Sequence, residues 1–264
     1  MPSSINVQFI GTAEFVPRAL VELLNQVSNP DCDDQFPLLT QKAGLARVAL
    51  HGGLLFFTFG CHLVLLCFSY SHGWSAILQW CLYVLGLTTF HVLEFLMTAL
   101  YNPRTCTADS FLINHSKAYT IAAIASWVEF WVEMWLWPGI KGATWTILFG
   151  TSVVFVGQFC RTLAMYTAGK SFHHIVQVNK DSRHRLITTG IYSLLRHPSY
   201  FGWFWWSIGT QVLLGNPFCV ICYAFASRDF FANRIPFEEQ ALRQMYPKQY
   251  EAYCERTPVL IPFL

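Results

Sequence analysis

Several stretches of this sequence run for about 20 residues without a formal charge, the length at which an α-helix crosses the hydrocarbon of a bilayer. Only 12% of the chain is charged and 54% is hydrophobic, against roughly 25% charged residues in a soluble domain. A soluble core hides some apolar excess, but not runs of this length. The expected fold class is an all-α integral membrane protein, a polytopic helical bundle of about six to eight spans.

Four runs read as spans, at about 44 to 70, 74 to 100, 118 to 137 and 142 to 167. Their flanks carry Lys42 and Arg47, then Arg104 and Lys117, then Lys170, Lys180, Arg183 and Arg185. Alternating spans place all of these on one side, leaving only Lys141 opposite, so the first set is expected to face the cytosol. Residues 5 to 27 are more ambiguous, with Glu14, Arg18 and Glu22 at helical spacing around Pro17. They read equally as one kinked membrane segment, a helical pair or an interfacial helix. The acidic stretch Asp31 to Asp34 closes that segment.

From His197 to Ser227 the chain is again uncharged, interrupted at Gly215-Asn216-Pro217. Each arm is roughly 25 Å long or shorter at about 1.5 Å per residue, barely enough to cross. A tight helical hairpin, entering and leaving on the cytosolic face, is the expected arrangement. The tail after Ser227 has five basic and five acidic residues and a helical pattern from Pro236 to Tyr253. Its stripe of Tyr246, Tyr250 and Tyr253 must pack on something.

A net charge of +2 and the lack of basic clusters interleaved with aromatics exclude a nucleic-acid partner. Ten Trp and 17% aromatic residues suit interfacial anchoring and the lining of a lipid cavity. The nine Cys, with Cys61, Cys67, Cys81, Cys219 and Cys222 inside apolar runs, read as small buried apolar residues. No metal site is expected. The N-terminus lacks a basic stretch followed by an apolar core, so insertion is expected to rely on internal spans.

Polar and ionisable residues concentrate in two blocks. The first holds Gly169, His173-His174, Gln177, His184-Arg185-Leu186-Ile187, Gly190-Ile191-Tyr192 and Arg196-His197-Pro198-Ser199-Tyr200; the second is Arg234-Ile235-Pro236-Phe237-Glu238-Glu239. In this order, with Asn216-Pro217 between them and Phe230-Phe231 ahead of Arg234, they strongly resemble the isoprenylcysteine carboxyl methyltransferases over about residues 160 to 240. The sequence departs from that family at Arg228-Asp229 and at Met245-Tyr246-Pro247. Phospholipid N-methyltransferases and membrane sterol-type reductases that use a nicotinamide cofactor carry similar C-terminal blocks and are the alternatives.

The resemblance implies S-adenosylmethionine as cofactor, with S-adenosyl-L-homocysteine as product. It implies prenylated proteins with a free C-terminal prenylcysteine, Ras-like and other CaaX proteins, as substrates, membrane lipid as surroundings, and the endoplasmic reticulum as location. By the same resemblance Gln177, His184, Arg185, Leu186, Ile187, Tyr192, His197, Pro198, Ser199, Tyr200 and Glu238 hold the cofactor. The chain then divides into N-terminal membrane or interfacial segments (1–43), transmembrane helices (44–168) and a catalytic region (169–264).

Chemistry fits these residues. Glu238 can accept from an ammonium group, and backbone groups of 184–187 can read an adenine edge. A carboxylate is already ionised at neutral pH, so methylating it needs orientation and desolvation and no base. The planar fork of Arg234 matches a carboxylate; without the motif, an Arg at a hairpin exit is more often an interfacial anchor. Arg234 and Glu238, four apart, share a helix face and can also form a plain ion pair. His197-Pro198 also reads as a helix start. Glu94, Glu129 and Glu133 are intramembrane acids, weighed equally as functional groups and as partners for buried polar groups.

Overall fold

The computed structural model describes residues 36–41, 43–114, 116–177 and 185–262, and among them all regular structure is helical. Residues 5–27 and 31–34, Lys42, Lys180, Arg183 and His184 lie outside the described residues. After a single turn at Pro37–Thr40 come α1 (Gly44–Ser71), α2 (Ser75–Tyr101), α3 (Lys117–Leu136) and α4 (Thr144–Ala168). Each lies within about two residues of the span expected from charge-free periodicity. Three stretches, Gly44–Ser71, Ser75–Tyr101 and Thr144–Ser171, are long and apolar enough to cross a membrane.

α1 leaves Leu54, Phe57, Val64 and Phe68 exposed. A helix this apolar with so little of it covered is suited to lipid surroundings. Cys61 and Cys67 on α1 and Cys222 further along are exposed too, so burial within the protein holds only for Cys81 and Cys219 of the five apolar-run cysteines. A hydrophobic run marks a helix as apolar without saying which face meets protein. Cys219 and Cys222 form a Cys-x-x-Cys pair, and both are free thiols.

α5 (Pro198–Leu214) and α6 (Pro217–Met245) follow, each with proline in its first turn, where the missing N–H costs nothing. Gly215 ends α5 in the left-handed region at φ 60°, the usual glycine stop. Ser207 lies against Ser227 with hydroxyls 3.2 Å apart, Trp203 against Phe230, and Tyr200 against Glu238. Contacts between residues progressively farther from the turn on both sides make α5 and α6 an antiparallel pair.

The turn is held electrostatically. Buried Lys141 reaches the orphan carbonyls of Leu214 (3.1 Å) and Gly215 (2.8 Å), the Asn216 side chain (2.9 Å) and Glu133 (2.7 Å). Glu129 accepts from the backbone N–H groups of Phe218 and Cys219, both at 2.8 Å. A cation thus sits at the C-terminus of α5 and an anion at the N-terminus of α6, matching both helix dipoles. Lys141, the lone cation expected on the far side, is therefore an internal bond and not a surface anchor.

α4 and α5 approach backbone to backbone. A Cβ on Gly157 would stand 2.6 Å from the Trp206 nitrogen, and one on Gly202 2.6 Å from the Arg161 nitrogen. Small residues of this kind let helices associate where lipid is as apolar as any side chain.

The tail differs from its sequence pattern. α6 runs on through Pro236 to Met245, and α7 (Pro247–Arg256) begins only after Tyr246. The break falls at Pro247, whose ring disfavours a helical Tyr246. The Met245-Tyr246-Pro247 stretch is thus a helix boundary. Tyr246, Tyr250 and Tyr253 are all buried, against Leu186, Leu242, Met245 and Cys254.

Gly157→Leu is expected to destabilise the protein by at least ~1–3 kcal/mol, the cost of overpacking. Gly60→Leu, where a Cβ meets nothing within 4 Å, should stay within about 0.5 kcal/mol of the parent. Thermal unfolding in detergent compares the two.

Candidate functional site

One cavity of about 820 Å³ runs through the bundle. α6 lines it along a single face, Cys219, Tyr223, Ser227, Phe231, Arg234, Glu238 and Leu242, at spacings of three and four. At ~1.5 Å per residue that face is about 35 Å long. Its first half is walled by Tyr83, Leu87 and Phe90 of α2, Ala122 and Ala125 of α3, and Trp203 and Trp206 of α5. The second half is polar and reaches the loops that follow α4.

Every sequence candidate among the described residues lines this cavity: Gln177, Arg185, Leu186, Ile187, Tyr192, His197, Pro198, Ser199, Tyr200, Arg234 and Glu238. Their side chains are engaged differently. Pro198 starts α5. The Ser199 hydroxyl accepts from Arg161 at 3.1 Å. The His197 ring stacks on Tyr200, centroids 5.4 Å apart and planes 6° from parallel, while its Nε2 lies 3.2 Å from Glu239.

Tyr192 sits in the short turn Gly190–Ser193, and its carbonyl accepts from the Tyr253 hydroxyl at 2.5 Å. This bond fastens α7 beneath the loop. Burial first, and the Glu238 charge next, push the Tyr192 phenol well above its ordinary pKa, so at neutral pH it is a hydrogen-bond donor.

Arg234 and Glu238 are not joined by a plain ion pair among the described residues. The Tyr200 hydroxyl stands between them, donating to Glu238 and accepting from Arg234 Nε at 3.1 Å. Arg234 Nη2 donates to the His174 carbonyl at 2.7 Å. The guanidinium is thereby oriented from two sides, unlike a surface anchor.

Several cavity residues escaped the sequence reading. Arg161 lines the wall and is bonded through Nε and Nη2 to both oxygens of buried Glu94. Its signal was available, since a lone Arg inside an apolar span marks either a function or a buried partner. Tyr250 and Tyr253 also reach the cavity, which the stripe of tyrosines left undetermined. Glu129 and Glu133 do not line it; their partners at the helix turn place them as structural groups.

Glu239, on the polar half of α6, faces away and gathers His197, Arg196 at 3.5 Å and Arg243 at 3.2 Å. Burial alone would raise its carboxyl, but the His197 hydrogen bond and the two arginines hold it below the ordinary value. A depressed folded-state pKa stabilises fully above the unfolded value of ~4.3 and is lost as pH falls through the folded one. The Tm gap between the parent and Glu239→Gln should therefore be largest near neutral pH and shrink as the solution is acidified below about pH 4.3.

Long apolar helices around one elongated cavity, polar at one end, make this an α-helical integral membrane protein with an internal binding site. The sequence model of the isoprenylcysteine carboxyl methyltransferase (ICMT) family matches residues 148–244. The protein-S-isoprenylcysteine O-methyltransferase of Xenopus laevis is 46% identical over 227 residues, 86% of this chain and 77% of that protein. The Homo sapiens protein of the same name is 44% identical, over 86% of this chain and 78% of its own. A solved structure of the eukaryotic intramembrane Ras methyltransferase ICMT superposes with a TM-score of 0.74 at 37% identity, covering 93% of each chain. The chain belongs to the isoprenylcysteine carboxyl methyltransferase family.

Proposed function

We propose that this protein methylates the C-terminal carboxylate of prenylated cysteine on processed CaaX proteins, using S-adenosylmethionine. The observation that carries this reading is the α6 face, uncharged and mostly apolar from Cys219 to Phe231 and then charged at Arg234 and Glu238. A carboxylate joined to a long hydrocarbon tail needs such a surface. The tail lies between membrane helices, and the acid meets a cation at the boundary with water.

The residues present fit the cofactor. Glu238 is a carboxylate for its ammonium group, the 185–187 backbone offers donors and acceptors for adenine, and Gln177 and the Tyr192 hydroxyl supply further polar contacts. When bound, S-adenosylmethionine supplies an activated methyl group for in-line displacement by a carboxylate oxygen. Arg234 orients that carboxylate. The surrounding Trp203 and Phe230 exclude water, so the nucleophile is held with little solvation. No side chain has to remove a proton, because the nucleophile is already an anion.

On this reading α1 to α4 cross the bilayer and α5–α6 enter and leave it from one face, giving six passages, or up to eight with the N-terminal segment. Arg104, Lys117, Lys170 and Arg185 flank the polar end, which supports a cytosolic active face. The endoplasmic reticulum is the expected membrane.

Purified protein should transfer radiolabelled methyl groups from S-adenosylmethionine to N-acetyl-farnesylcysteine. If that compound stays unlabelled while phosphatidylethanolamine accepts label, the enzyme is a phospholipid N-methyltransferase instead. Arg234→Ala should lower kcat/KM at least 100-fold, on the order of a lost buried charge pair, yet leave cofactor affinity within about threefold by calorimetry.

A further inference from the structure

Deep in the bundle lies an ion pair that the reaction as drawn does not use. Glu94 on α2 is 1% exposed and Arg161 on α4 is 6% exposed. Their two-point contact leaves Arg161 Nη1 for Ser199, while Glu94 Oε2, which accepts from Arg161 Nη2, also meets His174 Nε2 at 2.9 Å. A carboxylate held by an arginine is an acceptor, so His174 Nε2 carries the proton and donates.

His174 belongs to the loop after α4. Its ring meets Phe172 edge to face at 5.3 Å, and Phe172 is itself held through its carbonyl by Asn102 at 2.7 Å. The backbone of His174 is thus set by its own side chain, and its carbonyl in turn receives Arg234 Nη2. The other fixed nitrogen of Arg234 is Nε, on Tyr200. Nε and Nη2 form one edge of the guanidinium. With that edge engaged, the Nη1 side of the guanidinium, its two N–H groups and the second one on Nη2, is left for an incoming carboxylate.

We propose that His174 is a positioning residue for substrate recognition, through which the buried Glu94–Arg161 pair sets which edge of Arg234 meets the prenylcysteine carboxylate. The inference rests on the carboxylate reading of Arg234. It gives the intramembrane pair a task beyond packing: α2 and α4 anchor a loop that aims a side chain on α6. The imidazole anchors while the carbonyl aims, so a substitution that keeps the backbone still removes the aim.

His174→Ala is the direct variant, and a side chain 25% exposed is a tolerable loss. His174→Phe, which keeps the ring against Phe172 and removes only the nitrogens, is the second. Both should raise KM for N-acetyl-farnesylcysteine about tenfold, the scale of one misdirected charge-assisted hydrogen bond. Calorimetric affinity for S-adenosylmethionine should move less than about twofold, and Tm should stay near that of the parent. His174→Gln, with an amide donor, should restore most of the KM. In an Arg234→Lys background, His174→Phe should add nothing further. An unchanged KM in both variants, or equal losses in cofactor affinity and KM, would overturn the proposal. Failure of the parent protein to methylate N-acetyl-farnesylcysteine would overturn the functional reading itself, so the two failures are distinguishable.

Discussion

The backbone contact between α4 and α5 is the constraint on which the rest of the molecule depends. In lipid, helices gain nothing by hiding apolar side chains from one another, so close approach has to come from residues with almost no side chain. Gly150 and Gly157 on α4 and Gly202 and Gly209 on α5 supply it, each placed where a Cβ would meet the opposite helix. That approach brings Arg161 onto Ser199 and sets the first turn of α5, and with it His197 and Tyr200, at the polar end of the cavity. A wider spacing would separate the Arg161 ion pair from the residues that line the site.

Polar nodes at the two ends of α5 and α6 then hold the pair in register. At the turn, Lys141 and Glu129 satisfy helix-end groups that would otherwise be buried without partners, and Asn216 ties the turn to the Ser126 carbonyl on α3. At the other end Tyr200, Glu238, Arg234 and His174 form a chain of donors and acceptors. Between these nodes the helix faces are uncharged and mostly apolar, and the cavity occupies the space bounded by α2, α3, α5 and α6. The same bonds that stabilise the bundle therefore define where the lining changes from apolar to charged.

Much of this was legible locally. Charge-free runs located α1 to α4, and Gly215-Asn216-Pro217 located the turn, because left-handed glycine and first-turn proline act on their own neighbours. The candidates among the described residues line one cavity because the loops after α4 and the first turn of α5 meet the face of α6 that carries Arg234 and Glu238. Pairing was not legible. Glu94, Glu129 and Glu133 look alike in sequence, yet one holds Arg161 and His174, one caps a helix and one holds a lysine. The continuation of α6 through Pro236 is not legible in sequence, because a proline that usually starts or breaks a helix here sits on an exposed face of a helix whose opposite face is held by buried Phe231, Ile235 and Glu239.

By itself the sequence determined that this chain forms long membrane helices, where the first four of them end, and which residues resemble a methyltransferase's. Those properties follow from short-range effects: hydropathy over a helix length, the backbone preferences of Gly and Pro, and a motif carried in order. Tertiary structure alone decided that Tyr200 separates Arg234 from Glu238, that Lys141 is internal, and that Arg161 belongs to the site. These depend on partners far apart in the chain, 67 residues for Glu94 and Arg161 and 134 for Gln79 and Leu213. Which buried charge meets which is settled only when the helices pack and each must find its counterpart away from water.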